Sequence, residues 1–541
     1  MRFARWILNQ ADVVSLDPQV SDANAVAIGD GKVLAVGSSE DLRVWIGPET
    51  EVLDLGGATI LPGFHDAHGH VLGYALSFAQ VNLVGSGSEQ DAVERVVRFA
   101  ATLPATVPIV GRGWDQNLWP ERSFPTHHLL SSCFPHRPVA LKRVDGHAVW
   151  VNDWVLSRVG ISRGTPDPVG GQLVRGVDGK PSGVLIDTAM SIVEHLFPQM
   201  DDAEVLPWVA AGLKRLADYG LTAVSDMGID PLSYRILRLL DERGELPLRV
   251  VGYLDAQRFL DMPVSMYPPV TKHQSGDVRF TIAGVKFYQD GALGSRGAAL
   301  CTCYDDDPDT KGLLFYDLDT FTQKLANVMD AGYQPAVHAI GDHAVHVVLN
   351  SLERVLMKPG RAGLRPRIEH AQIVLPQDLR RFAALGVVAS IQPRHAVSDR
   401  AWAGARIGKK RLENAYLARS FVDAGVSIAL GTDFPIEPPD PWLAWLAATE
   451  RTDLDGQAPV RGGSERLTKM DALIGATAGA AFAAGLPGLG SISPGKWADL
   501  TILNLNPLKQ HGLAADPWKI LGTMVGGIFV KNPCGTSTSS A

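Results

Sequence analysis

The chain has 541 residues, of which 46% are hydrophobic and 20% charged, the proportions of a globular protein with a large core rather than of a disordered or fibrous chain. Lys and Arg number 50 against 58 Asp and Glu, a net charge of -8 without a long basic run, which argues against nucleic acid as a partner. The four cysteines, Cys133, Cys301, Cys303 and Cys534, have neither the number nor the CxxC spacing of a disulfide framework or zinc finger, so a reducing cytoplasm is the expected compartment.

The N-terminal stretch MRFARWILNQADVV lacks a long apolar run and a small-residue cleavage site, and reads as a strand rather than a leader. From Trp6 to about Thr59, short β-rich runs alternate with turns, among them a GDGK hairpin turn. The same texture returns in ADLTILNL from Ala498 and GGIFVKN from Gly526. Two partial sheets at opposite ends would each expose an apolar face, so one β-sandwich built from residues 1-58 and 485-541 is expected. The Ala- and Gly-rich segment Ala472 to Leu489 reads as a packed helix, with no membrane span. The polar tail after Pro533 is expected to be disordered.

Between these ends, short apolar runs fit strands buried on both faces near 59-66, 221-226, 247-252, 281-287, 335-339, 366-371, 387-392 and 427-432. Helical patterns at Leu206 to Tyr219, Phe321 to Ala331 and Leu412 to Ala424 fall among them. The expected fold is therefore α/β, a (β/α)8 TIM-like barrel over residues 59-79 and 201-484. Residues 80-200 are too long for a βα connection and carry their own patterned pieces, so they read as an inserted α/β subdomain. The insertion leaves from the end of the first strand, on the face where barrels keep their chemistry, and should cap the active site.

The segment LPGFHDAHGH sets His68 and His70 two apart, which in an extended strand points both imidazoles the same way, as a metal ligand pair requires. Lys286, His338, His370 and Asp433 fall at the ends of the strands four, five, six and eight so placed. Taken singly, each has a plainer explanation: a hydrogen-bonded core histidine, a Lys286 to Asp290 pair, or a turn cap at Asp433. Together they converge on one mouth.

The order His-x-His, Lys, His, His, Asp resembles the amidohydrolase superfamily. The strings GFHDAHGH, GWDQNLW, DGHAVWVN, VKFYQDGALGSR, VHAIGD, RIEHAQ, GTDFP and GSISPGKWADL are similar to the branch that contains N-substituted formamide deformylases. The resemblance runs from about Asp12 to Lys531. It implies a barrel with a terminal β-sandwich, and one or two divalent ions, zinc by preference. His68, His70 and Asp433 would hold one ion and His338 and His370 a second, bridged by a carboxylated Lys286; a single ion without the carbamate stays open. Such a centre supplies hydroxide near neutral pH, and Asp433 would move the proton to the leaving nitrogen.

Around this centre, His65 and Asp66 flank the ligand pair. Asp342 and His343 open a helix, where Asp342 is a cap or a substrate contact. Gln392, Arg394 and His395 follow strand seven and face the same mouth. In the insertion, Trp114, Asp115, His147 and Asn152 are candidate substrate contacts, with a packed aromatic core of Trp114, Trp119, Trp150 and Trp154 as the competing explanation. The expected activity is hydrolysis of a linear, non-peptide amide, an N-substituted formamide or N-acyl amine; these tryptophans, with Trp402, Trp442 and Trp445, suggest an apolar or aromatic substituent. A deaminase or cyclic-amide hydrolase is the alternative enzyme, and a catalytically silent regulatory or binding protein the alternative of another class. No His-x-x-Glu signature is present, and Glu369, next to His370, is expected to point to the opposite face. The partner is a small molecule; a homodimer is left open.

Overall fold

Eight runs rich in Val, Ile and Ala form parallel strands at Phe64–Gly69, Leu221–Ile229, Arg249–Asp255, Phe280–Tyr288, Gln334–Ala339, Arg367–His370, Val388–Ile391 and Ile428–Leu430. Each pairs with its neighbour in sequence, giving the expected (β/α)8 barrel in a computed structural model that describes residues 3–104, 107–197, 201–259, 277–358, 361–452, 462–510 and 518–533. The segment after the eighth strand closes the ring: the Asp433 amide donates to the His68 carbonyl at 2.7 Å and the His70 amide to that of Phe434 at 2.8 Å. Gly69 permits this closure, because a Cβ there would lie 2.2 Å from the Phe434 ring.

The run expected as one strand over 59-66 is two strands in two sheets. Thr59–Pro62 pairs antiparallel with Leu500–Leu503 and parallel with Asp12–Val13, so the barrel begins only at Phe64. The chain changes sheets at Gly63, where a Cβ would sit 2.1 Å from the Thr222 hydroxyl; residues either side are equally apolar, so hydrophobicity alone does not mark the break. This sheet is completed by Ile520–Val525 and Ile528–Lys531. A second sheet of Trp6–Asn9, Ala25–Gly29, Lys32–Gly37 and Glu51–Asp54 shares a core with it, in which Leu8, Val26 and Ile28 meet Ile60, Ile502 and Met524.

The barrel is fastened to this pair of sheets by a buried ion pair. Arg249 on the third strand donates from Nε and Nη2 to the two oxygens of Asp499, at 2.7 and 3.0 Å. Arg249 keeps a second partner, Asp277 at 2.7 Å, so Asp499→Ala is expected to cost less than the ~3–5 kcal/mol of a buried charge left with no partner, read as a lower urea midpoint with an unchanged slope.

Helices cover the barrel. Asp202–Asp218 starts with a capping box in which Asp201 accepts from the Glu204 amide, and Leu318–Asp330 is capped by Asp317. The helix expected over Leu412 to Ala424 is interrupted: helical residues end at Leu412 and resume at Arg419, because Tyr416 takes a left-handed conformation, φ 54°. The segment from Ala472 is helical with a π turn at Gly475–Gly479. Among the described residues, no helix is long and apolar enough to cross a membrane. The tail after Pro533 lies outside the described residues.

The insertion builds a six-stranded sheet in the order Gly171–Arg175, Pro181–Asp187, Ala148–Val151, Val139–Arg143, Ile109–Trp114 and Val81–Asn82. One face packs on the helix Glu89–Ala100 through Val93, Val96, Ile109 and Leu141. The Asp187 carboxylate reaches the loop after the fourth barrel strand, where it leaves no room for a side chain at Gly291.

Candidate metal centre at the barrel mouth

The barrel brings the dispersed histidines together. His68 and His370 have ring centroids 4.9 Å apart, and His370 and His338 4.6 Å. Asp433 lies against the first pair, with Oδ1 at 3.0 Å from His70 Nε2 and 3.4 Å from His68 Nε2. Two sets, His68 with His70 and Asp433, and His370 with His395 and Asp433, hold ligand atoms within 4.8 Å of one another. Both His370 and Asp433 have left-handed backbones, φ 70° and 62°, strain that aims consecutive side chains inward at the ends of strands six and eight.

Several polar atoms here are buried without a hydrogen-bond partner: Asp433 Oδ1, Lys286 Nζ, His370 Nδ1 and His395 Nε2. Interior polar atoms are normally satisfied. Imidazole nitrogens and a carboxylate oxygen left open at one point are the donor set of a divalent cation, so the residues fit one. Burial pushes the His68 pKa down to about 4 and those of His338 and His370 well below the usual value, which keeps these rings neutral, as ligation requires. Against the cost of burial, His68 and then His70 hold the Asp433 carboxyl below its ordinary range.

Lys286 is fully buried on the fourth strand, with Nζ 5.1 Å from the Tyr288 ring centroid. It does not pair with Asp290. That carboxylate instead accepts the amides of Ala299, Ile340 and Gly341, tying strand four to the loop after strand five. Burial lowers the Lys286 pKa to about 8, with Glu369 and Asp433 acting in the opposite sense.

Glu369 is the residue that sequence reasoning misplaced. Its carboxylate points into the barrel and takes His68 Nδ1 at 2.7 Å, while Arg367, itself fully buried, donates to both its oxygens at 2.5 and 3.1 Å. Strand alternation fails because the backbone turns left-handed at His370, so residues 369 and 370 both reach the interior. Arg367 also bonds Ser390 and the Ala67 carbonyl, and His68 thus presents Nε2 to the centre in a fixed orientation. Tyr288, whose ring is 5.4 Å from that of His338, was also overlooked; a tyrosine two residues after the strand-four lysine shares its face.

Asp66 straps the seam of the barrel, accepting the His68 and Thr432 amides at 3.0 Å and the Thr432 hydroxyl at 2.6 Å. His65 contacts Ser225 Oγ at 3.0 Å. From the cap, His147 comes within 5.3 Å of the His338 ring, centroid to centroid, its Nδ1 at 2.8 Å from Asp187. Gln392 lines a small cleft with His370 and His395, and Arg394 donates to Glu437 at 3.0 Å.

Other expected contacts are occupied elsewhere. Trp114, Trp119 and Trp150 form the cap's own core, with centroids 6.1–6.4 Å apart, and the Trp114 indole donates to the Leu141 carbonyl. Asp115 pairs with Arg143 at 2.6 Å. Asn152 bonds the carbonyls of Phe134 and Arg137. Asp342 accepts the Cys301 and His343 amides. Trp442 and Trp445 pack on Trp518, and Trp402 joins a cluster with Ile407 and Tyr416. An aromatic count cannot say which face a ring occupies, and here the rings fill cores.

Behind His395, Asp399 accepts from the Tyr416 hydroxyl and the Gln372 amide, each at 2.9 Å, and burial raises its pKa from 3.8 to about 7. The folded chain therefore keeps a proton that the unfolded chain releases; the stabilisation is complete below about 3.8 and is lost as pH rises through 7. Asp399→Asn is expected to gain on the parent as pH rises, so that the difference in melting temperature between pH 8 and pH 5 is smaller in the variant.

A parallel barrel whose mouth gathers imidazoles and carboxylates in this way is the architecture of a metal-dependent hydrolase, and the family match makes it one of carbon–nitrogen bonds. The chain belongs to the amidohydrolase family, whose pattern matches residues 51–530. It is 32% identical over 517 residues to YtcJ of Bacillus subtilis (strain 168), a protein named provisionally as an amidohydrolase, covering 94% of this chain and 95% of that one. It is 28% identical over 534 residues to an N-substituted formamide deformylase of Arthrobacter pascens, covering 96% and 97% of the two chains. A solved structure described as an uncharacterized metal-dependent hydrolase from Pyrococcus horikoshii superposes with a TM-score of 0.76 at 28% identity, over 93% of this chain and 98% of that one.

Proposed function

We propose that this protein hydrolyses a linear, non-peptide amide, an N-substituted formamide or N-acyl amine. His68, His70 and Asp433 hold one divalent cation, zinc by preference, and His338 and His370 a second, with Lys286 carboxylated at Nζ between them. The observation that carries this reading is the set of unpartnered buried ligand atoms around Asp433. The similarity to a formamide deformylase supports the amide class.

The low pKa of Lys286 leaves part of the amine neutral near pH 7. Its nitrogen forms a bond to carbon dioxide, releases a proton to solvent and becomes a carbamate, which replaces a cation among cations by an anionic oxygen ligand. A divalent cation held there polarises the amide carbonyl and lowers the pKa of water towards about 7. Asp433 accepts a proton from the attacking water and delivers it to the leaving nitrogen, so that as the carbon–oxygen bond forms and the carbon–nitrogen bond breaks the amine departs neutral. His147, fixed at Nδ1 by Asp187, offers its other ring nitrogen to the substrate oxygen. Glu369 is engaged by Arg367 and His68, so it holds a ligand rather than shuttling the proton of a deaminase. A second reading, a single ion without the carbamate, is favoured by the closeness of His395 to His370 and Asp433.

Metal analysis and steady-state assays on N-benzylformamide, N-acetylbenzylamine, a matched ester and hydantoin test the proposal. One or two equivalents of metal, amine release from the linear amides, and loss of turnover on chelation with recovery on zinc are expected. Exclusive activity on the ester or hydantoin overturns the amide assignment, and substoichiometric metal overturns the catalytic one.

A further inference from the structure

We propose that the cap binds a carboxylate of the substrate between Arg112 and Lys142, so that the amide hydrolysed carries an anionic group, as in an N-acyl amino acid. The inference rests on the amide reading above and adds a substrate class to it.

Strand pairing sets Asn82, Arg112, Lys142 and Val149 side by side on one face of the cap sheet, followed by Leu185 and Leu173. The apolar half of this face is covered from within the insertion by Val155, Leu156, Ile161 and Val193. The basic half has no such cover among the described residues. Among the described residues, Arg112 makes one hydrogen bond, from Nη2 to the Val144 carbonyl at 3.3 Å, leaving most of its five N–H donors open. Lys142 makes none, and Glu194, the carboxylate that faces it, is paired with Arg258 at 3.5 Å, just beyond the third barrel strand.

Arg112 is half-buried and Lys142 exposed, so both are open to a ligand. Arg112 is tied to the Val144 carbonyl, three residues before His147, whose ring lies 5.3 Å from that of His338, which puts this corner of the cap beside the barrel mouth; burial pushes the Arg112 pKa down to about 10. Lys142 is exposed to solvent, and desolvation by the surrounding protein lowers its pKa. A guanidinium fork with an adjacent ammonium is the recognition chemistry of a carboxylate.

Calorimetric titration of the zinc-loaded protein with hippurate and with its uncharged methyl ester tests this. Hippurate is expected to bind about ten- to a hundredfold more tightly, the effect of a charge-assisted hydrogen bond, and the ratio should fall towards one in Arg112→Met and decrease in Lys142→Met. If Arg112→Met does not fold, Lys142→Met on the accessible side carries the test. Equal affinities, no binding of hippurate at millimolar concentration, or a preference that survives both substitutions overturns the proposal. The two readings fail separately: turnover of amides without charge preference sinks the carboxylate site alone, whereas Arg112-dependent hippurate binding without turnover of any amide sinks the amide reading alone.

Discussion

Asp433→Asn is expected to lower kcat/KM by about 10⁴-fold or more. The carboxylate lies against His68, His70 and His395 at 3.0–3.7 Å and contributes to both candidate ligand sets, so on the proposed reading the variant loses an anionic ligand and the group that carries the proton. General acid–base catalysis alone accounts for about 10²–10⁴-fold, and the metal contribution comes in addition. Asparagine keeps the size and the backbone hydrogen bond to His68, so melting temperature should change little while metal content falls. Turnover within tenfold of the parent would rule out Asp433 as the proton carrier.

Glu369→Gln is expected to combine a stability loss of about 3–5 kcal/mol with a 10- to 100-fold loss of metal affinity. Arg367 and Glu369 are both fully buried, and the neutral amide leaves the guanidinium charge uncompensated. The two effects separate in the double variant Arg367→Met with Glu369→Met. A buried ion pair replaced by apolar side chains regains most of the stability, but His68 Nδ1 remains without its acceptor, so metal affinity should stay low. Denaturant titration and competition with a zinc chelator read the two quantities. If metal affinity recovered with stability, Glu369 would be a packing group and not a positioning one.

Much of this arrangement was legible in the sequence. Period-two spacing put His68 and His70 on one side of a strand, and the ends of apolar runs located Lys286, His338, His370 and Asp433. What escaped depended on backbone conformation. Glu369 was assigned to the wrong face because alternation assumes an extended chain, and residue 370 is left-handed. The run over 59-66 concealed a change of sheet because Pro62 and Gly63 are flanked by equally buried neighbours. Trp114 and Asp342 drew attention as reactive or aromatic types in suggestive motifs, but residue type carries no information on direction, and here they bond the backbone of Leu141 and of Cys301 and His343.

The strap from Asp66 to Thr432 spans 366 positions of the chain. During synthesis the outer edge of Phe64–Gly69 therefore waits for its partner until nearly the whole polypeptide has left the ribosome, an interval in which an unpaired strand is open to mispairing. Any nascent or clipped product ending before Leu430 has an open rim and lacks Asp433, so on the proposed reading acquisition of the cation is a late event in maturation and reports that the ring has shut.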